Sequence, residues 1–159
     1  MIQVTLITVG TLKESYWRDA VAEYEKRLSA FCKCEILQLK EYKLPENPST
    51  SEIDTALSEE AKRILAAIPP RSYKIALCVE GEQFSSEALA KKLESTFLEN
   101  GSLCLIIGSS YGLSPDVKRA CDLRLSVSKL TFPHQMMRVL LLEALYRCFG
   151  ILKGTKYHK

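Results

Sequence analysis

The sequence predicts an α/β domain in which a mostly parallel sheet is flanked by helices. Segments with strand character alternate with segments of helical periodicity, which is typical of parallel sheets. Two of the strand segments, residues 75–79 and 103–107, are entirely apolar, as expected when helices cover both faces of the sheet. The length of 159 residues is usual for one domain. We therefore expect a single domain spanning residues 1–159.

The N-terminal third is predicted to form a strand, a helix and a second strand. Residues 2–9 alternate roughly between apolar and polar side chains and end at a glycine, which indicates a strand. Residues 12–28 carry an apolar residue at every fourth position, which indicates a helix. Residues 34–39 resemble a second strand. The proline- and serine-containing residues 40–51 that follow indicate a loop.

The middle of the chain carries clear signals for helix ends. Ser49 is followed three residues later by Glu52, which fits a capping box and predicts a helix that ends before Pro69. Residues 73–79 form the third predicted strand, and Gly81 is expected to end it.

Two further strands and three helices are predicted in the remaining sequence. Gly101 is suited to the left-handed position after a helix, and Ser114 before a proline is typical of a helix start. In order, the predicted elements are a helix at 85–100, a strand at 103–107, a helix from 115, a strand at 123–127 and a helix at 133–152.

The last of these helices is apolar around nearly its whole circumference. Such a helix must be buried on more than one side. The sheet can cover one side, and a second copy of the chain is a natural cover for another, so we expect a homodimer. The alternative is that other helices of the same chain cover it.

Composition excludes several classes of protein. Hydrophobic residues make up 47% and charged residues 26%, which is typical of a globular protein. No uncharged apolar stretch approaches the ~20 residues of a membrane span, and no secretory signal is recognisable. Six cysteines without an export signal are expected to be reduced thiols, so we predict a cytoplasmic protein without membrane attachment. Cys32 and Cys34 are too close for the usual zinc half-site, and no metal site is expected.

Charge is distributed unevenly along the chain. Residues 1–117 carry a net charge of −4, whereas residues 118–159 carry +7. A basic C-terminal quarter suggests a surface that meets an anion, most simply RNA phosphate. The alternative is an ordinary solvated face, and a total charge of +3 does not predict tight binding to arbitrary nucleic acid.

Two loops are candidates for a ligand site because they follow the C-terminal ends of predicted strands, where ligands bind in parallel sheets. They are residues 108–112, which contain two glycines, and residues 127–132. The dinucleotide fingerprint, the phosphate-binding loop and the common hydrolase motifs are absent from the sequence. A tight turn alone would equally explain the glycines of the first loop.

The start of the last helix carries side chains that could act in binding or catalysis. His134 and Arg138 are four residues apart and therefore share a face. Free backbone N–H groups at a helix start can receive an anion. Each residue also has an ordinary structural explanation: His134 could be a packed core histidine, and Arg138 could form an ion pair with an acid. The terminal residues 157–159 would by default be a frayed tail.

The sequence resembles the RlmH family, the 23S rRNA pseudouridine-N3 methyltransferases of the SPOUT superfamily. The resemblance rests on residues 130–138, LTFPHQMMR, and on the terminal residues 157–159, YHK. Ile107-Gly108 and Tyr111-Gly112 also match, and the similarity extends over essentially the whole chain. Ser109 stands where a second glycine is expected, which affects only the detail of that loop.

The resemblance implies a SPOUT fold with a C-terminal trefoil knot, a homodimer, and S-adenosylmethionine (AdoMet) as methyl donor. It implies that the acceptor is N3 of a pseudouridine in a stem-loop of 23S rRNA, in the assembled ribosome. It further implies cofactor contacts along residues 127–132 and at two strand ends. The predicted cofactor-binding residues are Leu77, Gly108, Val127, Ser128, Lys129, Leu130, Thr131 and Phe132.

Roles in catalysis follow from the same resemblance. The acceptor nitrogen carries a proton that must be removed, and a positioned base is worth ~10²–10⁴-fold. His158 is the first candidate base and His134 the second. Arg138 and Lys129 are expected to hold phosphate or to stabilise the anionic base, and Tyr157 to stack on a nucleotide.

Three other classes of function compete with this interpretation. A non-catalytic RNA-binding module would keep the basic quarter but would not bind AdoMet. A nucleotide-dependent oxidoreductase would have a similar sheet, although the missing glycine fingerprint argues against it. A cysteine-dependent hydrolase is the least favoured, because neither candidate loop contains a cysteine.

Overall fold

A computed structural model describes residues 1–158, apart from the side chain of His158. It contains a five-stranded sheet with the strand order β2-β1-β4-β3-β5, and every neighbouring pair is parallel. The fold class predicted from the sequence is therefore confirmed. The knot implied by the resemblance stays a prediction. The strands are β1 Ile2–Val9, β2 Cys32–Leu39, β3 Tyr73–Glu82, β4 Ser102–Ile107 and β5 Leu123–Leu125.

Helices cover both faces of the sheet, which accounts for the fully apolar central strands. One buried cluster unites one sheet face with three helices, and a second unites the other face with two. The first face carries α1 Ser15–Leu28, α3 Ser86–Asn100 and α5 His134–Leu152, and the second carries α2 Thr50–Ala67 and α4 Pro115–Ala120. A short 3₁₀ turn, Lys156–His158, is the last described element.

The predicted helix ends are confirmed at three sites. Ser49 accepts a hydrogen bond from the Glu52 backbone N–H, and the Glu52 carboxylate accepts one from the Ser49 N–H. Gly101 ends α3 in the left-handed conformation, with φ of 71°. Ser114 accepts a hydrogen bond from the Asp116 N–H at the start of α4. Local sequence thus determines these boundaries, because each cap satisfies backbone groups that the helix leaves free.

Helix α1 begins later than its periodicity predicts. The apolar pattern begins at Leu12, whereas the helix begins at Ser15. The Arg18 guanidinium donates to the backbone carbonyls of Leu12 and Lys13, at 3.0 and 2.6 Å. Leu12 is nevertheless buried, so it contributes to the core from the segment before the helix.

Strand β3 does not end at Gly81, as the sequence predicts, but continues to Glu82. Its pairing with β5 is irregular, because Leu77 and Glu82 both pair with Leu125. A Cβ atom at Gly81 would lie 2.7 Å from the Leu125 carbonyl carbon. The glycine therefore allows the two backbones to approach closely instead of ending the strand. β5 in turn ends at Leu125, two residues before its predicted end.

Helix α5 lies between α1 and α3 and packs against both. Leu141, Leu142 and Leu145 are fully buried there. Met136 and Leu140 are only partly buried, and Val139 is partly buried against the core. Helices of the same chain therefore account for much of the apolar circumference, and a partly exposed apolar strip remains. The predicted dimer is not tested by a single chain.

Candidate active site

A cleft of about 240 Å³ opens at the C-terminal ends of β3, β4 and β5, beside the start of α5. This is just below the volume of about 300–1,000 Å³ that is usual for small-molecule sites. Its walls are the end of β3, the β4 loop (residues 108–112), the β5 loop (residues 127–132), and the first turn of α5. The cleft thus lies at the edge of the sheet where ligands of parallel α/β proteins bind.

The β4 loop is closed on itself. The Gly112 N–H donates to the Ser109 carbonyl at 2.8 Å. A Cβ atom at Gly108 would lie 2.2 Å from the Gly112 carbonyl oxygen, so position 108 admits only glycine without opening the loop. Gly112 has φ of 83°, a left-handed conformation that favours glycine. The two glycines are thus required by the turn itself, which in addition forms one wall of the cleft.

The β5 loop is held by hydrogen bonds of its own serines. The Ser126 hydroxyl donates to the Ser128 carbonyl at 2.9 Å, and the Ser128 hydroxyl accepts from the Leu130 N–H at 3.0 Å. The Ser126 N–H also donates to the Glu82 carbonyl at 2.9 Å. These bonds turn the chain away from the sheet and across the cleft.

Seven of the eight predicted cofactor-binding residues line this one cleft. The eighth, Lys129, is exposed and does not line it. The loops come from strands far apart in sequence, so only the folded sheet brings these residues together. The seven residues are Leu77, Gly108, Val127, Ser128, Leu130, Thr131 and Phe132.

His134 lies at the floor of the cleft, in the first turn of α5. Burial and the nearby Arg138 charge lower its pKa below the ordinary value, and Glu41 partly opposes them. The imidazole is therefore neutral near pH 7 and able to accept a proton. Its Nδ1 atom is buried and has no hydrogen-bond partner among the described residues.

Arg138 is a buried residue, and its role at phosphate or at the anionic base stays a prediction. It is 1% exposed and does not line the cleft. One guanidinium nitrogen, Nη2, donates to the carbonyls of Val9 and Gly10, at 3.2 and 2.8 Å. In this arrangement Arg138 fixes the end of β1 behind His134. Its Nε and Nη1 atoms find no partner within the described part of the chain.

Tyr157 lies against the second half of α5, outside the cleft. Its hydroxyl donates to Glu143 Oε2 at 2.9 Å, and its ring packs edge-on against Tyr146. Burial acts to raise the pKa of Glu143, but hydrogen bonds from Tyr24, Arg147 and Tyr157 leave it below the ordinary value. Tyr157 therefore packs against α5 of the same chain, and the tail is not frayed as far as this residue. The side chain of His158, the first candidate base, lies outside the described part of the structure.

Glu80 and Cys78 are among the cleft residues that the local sequence does not indicate, because they lie at the end of a strand and not in a glycine-rich loop. Glu80 lines the cleft, and the ammonium of Lys118 lowers the pKa of its carboxyl group. Cys78, in the apolar strand segment 75–79, also lines it. Burial raises the pKa of the Cys78 thiol, so the thiol is protonated at neutral pH and is a poor nucleophile.

The mouth of the cleft exposes apolar side chains. Val79, Val127 and Leu130 line the cleft and are 46%, 39% and 70% exposed. Tyr111, in the β4 loop, is 47% exposed. Exposed apolar side chains beside a cleft are a common feature of binding sites. The residues described by the structure include no cluster of three potential metal ligands and no helix able to cross a membrane.

Fold and cleft together define an α/β protein with a cleft at the C-terminal edge of a parallel sheet. Residues 2–158 match the model of the family described as "Predicted SPOUT methyltransferase". The chain belongs to this family.

Two comparisons with individual proteins agree with this. The chain is 50% identical, over 159 residues, to "Ribosomal RNA large subunit methyltransferase H" of Streptococcus thermophilus, covering 99% of this chain and 100% of that protein. A solved structure, a probable methylase family protein from Haemophilus influenzae, is similar with a TM-score of 0.55. It is 16% identical, and the match covers 99% of this chain and 70% of that one. This last likeness shows the fold alone.

Proposed function

We propose that the chain is a single methyltransferase domain that transfers the methyl group of AdoMet to N3 of a pseudouridine in a stem-loop of 23S rRNA. The observation that carries the proposal is the cleft, whose walls are the two loops of a SPOUT methyltransferase chain. The name of the 50% identical relative supports ribosomal RNA as the class of acceptor. The assembled ribosome in the cytoplasm is the proposed setting.

The residues of the cleft fit the proposed methyl donor. Leu77, Leu130 and Phe132 provide apolar surface for an adenine ring, with backbone amides of the loops nearby. The ionised Glu80 is an acceptor for hydroxyl groups such as those of a ribose. AdoMet supplies an already activated methyl group, so the protein must mainly align donor and acceptor, which can contribute roughly 7–11 kcal/mol.

His134 is neutral and lines the same cleft. It is therefore suited to remove the proton from N3 of the pseudouridine. His158 remains the alternative base on the strength of the resemblance. Lys129 and the basic C-terminal quarter are proposed to contact RNA phosphate, since Lys129 is exposed beside the cleft. Arg138 is proposed to act indirectly, because it is buried against the end of β1.

A homodimer would allow the tail to take part in catalysis. Tyr157 docks on Glu143, nine positions after His134 along α5. At 1.5 Å per residue this is about 14 Å from the cleft along the helix axis. We therefore propose that the tail of one subunit reaches the cleft of the other, across the apolar strip on the outer side of α5. Mixed dimers of a Leu77→Trp chain and a Tyr157→Ala chain should then regain activity that neither parent has.

The decisive experiment incubates the protein with labelled AdoMet and whole ribosomes that lack the mark, followed by mass mapping of the rRNA. We expect one methyl group on one pseudouridine of 23S rRNA. Leu77→Trp, which fills the cleft, should abolish the transfer, whereas Leu98→Ala on the exposed side of α3 should not. Absence of AdoMet binding by calorimetry would instead favour a non-catalytic RNA-binding module.

A further inference from the structure

Glu60 is an acidic residue on the inner face of α2. It is 3% exposed and shares this face with Ala56, Ala61 and Ile64. Burial raises the pKa of its carboxyl group, while hydrogen bonds from Tyr42 and Ser109 act in the opposite direction. A buried carboxylate costs free energy unless it is well paired, and an apolar side chain would satisfy the packing of this face. The acid therefore needs another explanation.

The two carboxylate oxygens of Glu60 hold two different loops. Oε2 accepts a hydrogen bond from the Tyr42 N–H at 3.0 Å, in the segment after β2. Oε1 accepts one from the Ser109 hydroxyl at 3.1 Å, in the β4 loop, and this bond is buried. The same segment after β2 is also held by Arg63 of α2, whose guanidinium donates to the Lys40 carbonyl at 2.7 Å. Helix α2 thus anchors one wall of the cleft from behind.

Ser109 connects this anchor to the cleft. It is 6% exposed and lines the cleft between Gly108 and Ser110. Its carbonyl accepts the hydrogen bond that closes the β4 loop, while its hydroxyl donates to Glu60. The side chain and the backbone of one residue therefore fix the loop from opposite directions. This is the position where a second glycine was expected, and a glycine has no hydroxyl to donate.

We propose that Glu60 is a positioning residue that, through Ser109, holds the β4 loop in the conformation that binds the methyl donor. The proposal rests on the proposed function, because it takes the cleft as the donor site. Glu60 touches neither donor nor acceptor; it acts on the loop that does. Preorganisation of this kind lowers the cost of ordering the loop upon binding.

Three variants and one control test this. Glu60→Leu keeps the volume and removes both acceptors, Glu60→Gln keeps an amide able to pair with both partners, and Ser109→Ala removes only the bond to the loop. Glu59→Leu is the matched control, because Glu59 is the partly exposed neighbour of Glu60 on α2 and pairs there with Lys62. Calorimetry with AdoMet and hydrogen exchange of amides 108–112 in the free protein are measured for each.

We expect Glu60→Leu to weaken AdoMet binding about tenfold and to speed exchange in the β4 loop, with Glu60→Gln within about threefold of wild type. Ser109→Ala should weaken binding about fivefold, and the double variant with Glu60→Leu should be no weaker than Glu60→Leu alone. In turnover, KM for AdoMet should rise while kcat and KM for ribosomes change little.

Two results would overturn the proposal while leaving the function intact. One is a Glu60→Leu protein with lower stability to urea but unchanged AdoMet affinity, which would make Glu60 only a stability residue. The other is additive losses in the double variant, which would separate Glu60 from Ser109. A wild-type protein that does not bind AdoMet would instead overturn the proposed function, and this inference with it.

Discussion

Replacing Gly108 with alanine should damage the cleft by a purely steric route. Gly108 is not among the glycines with positive φ, so alanine faces no unfavourable backbone conformation there. Its added Cβ would lie 2.2 Å from the Gly112 carbonyl oxygen and 2.5 Å from the carbonyl carbon. Both atoms belong to the backbone, so no side-chain rotation can relieve the overlap.

The size of the effect follows from these distances. A close carbon–oxygen contact is about 3.3 Å, so the loop must open by about 1 Å at Gly112. Such overpacking costs about 1–3 kcal/mol. The opening also strains the hydrogen bond from the Gly112 N–H to the Ser109 carbonyl, which is worth about 1 kcal/mol. We therefore expect a loss of about 2–4 kcal/mol in the free energy of unfolding.

Urea unfolding measures the stability and calorimetry measures AdoMet affinity. For a domain of this size the loss corresponds to a Tm lower by roughly 4–16 °C. Gly101→Ala is the control, because Gly101 has positive φ but nothing within 4 Å of its added Cβ. That variant should lose about 1 kcal/mol from backbone strain and keep normal AdoMet binding. A Gly108→Ala protein with wild-type stability and wild-type affinity would refute the steric reasoning.

Three other substitutions are expected to have measurable effects. Gly81→Ala should push β5 from β3, because its Cβ would lie 2.7 Å from the Leu125 backbone; urea unfolding should show a loss of about 1–3 kcal/mol. Arg138→Ala should cost about 2–3 kcal/mol in the same assay, through a cavity and two carbonyls left without their donor. Burial and Arg138 lower the pKa of His134, so the unfolded chain binds a proton more readily than the folded one. The free energy of unfolding should then fall as the pH drops from about 6.5 through the lower pKa of His134 in the folded protein. Unfolding curves of His134→Gln should lack this decrease.

The sequence alone predicts the structure correctly where a single local interaction determines it. The capping box at Ser49 and the left-handed Gly101 each involve residues within a few positions of one another. The apolar strands β3 and β4 were visible because burial on both faces leaves no polar alternation. The position of the cleft followed from the same reasoning, since strand ends in a parallel sheet converge on one edge.

Contacts between distant positions were not visible in the sequence. Gly81 carries an ordinary strand-ending signal, and only the approach of β5 shows that the strand continues past it. Arg138 donates to the carbonyl of Gly10, which lies 128 positions away in the sequence. The residues next to Arg138 in the sequence therefore do not indicate that it is buried. The bond between Ser109 and Glu60 spans 49 positions. Each of these features depends on which elements pack together, and a local pattern does not contain that information.

The protein also buries several polar side chains outside the lining of the cleft. Thr8, Glu60 and Arg138 are each at most 3% exposed, and they lie on β1, α2 and α5. A domain selected only for stability would fill such positions with apolar side chains, because each polar group must recover its lost hydration. Sequences tend to break the burial rule where a site has to be held in a fixed geometry. Glu60 and Arg138 fit this pattern, because Glu60 bonds to Ser109 in the wall of the cleft and Arg138 lies one turn after His134 on α5.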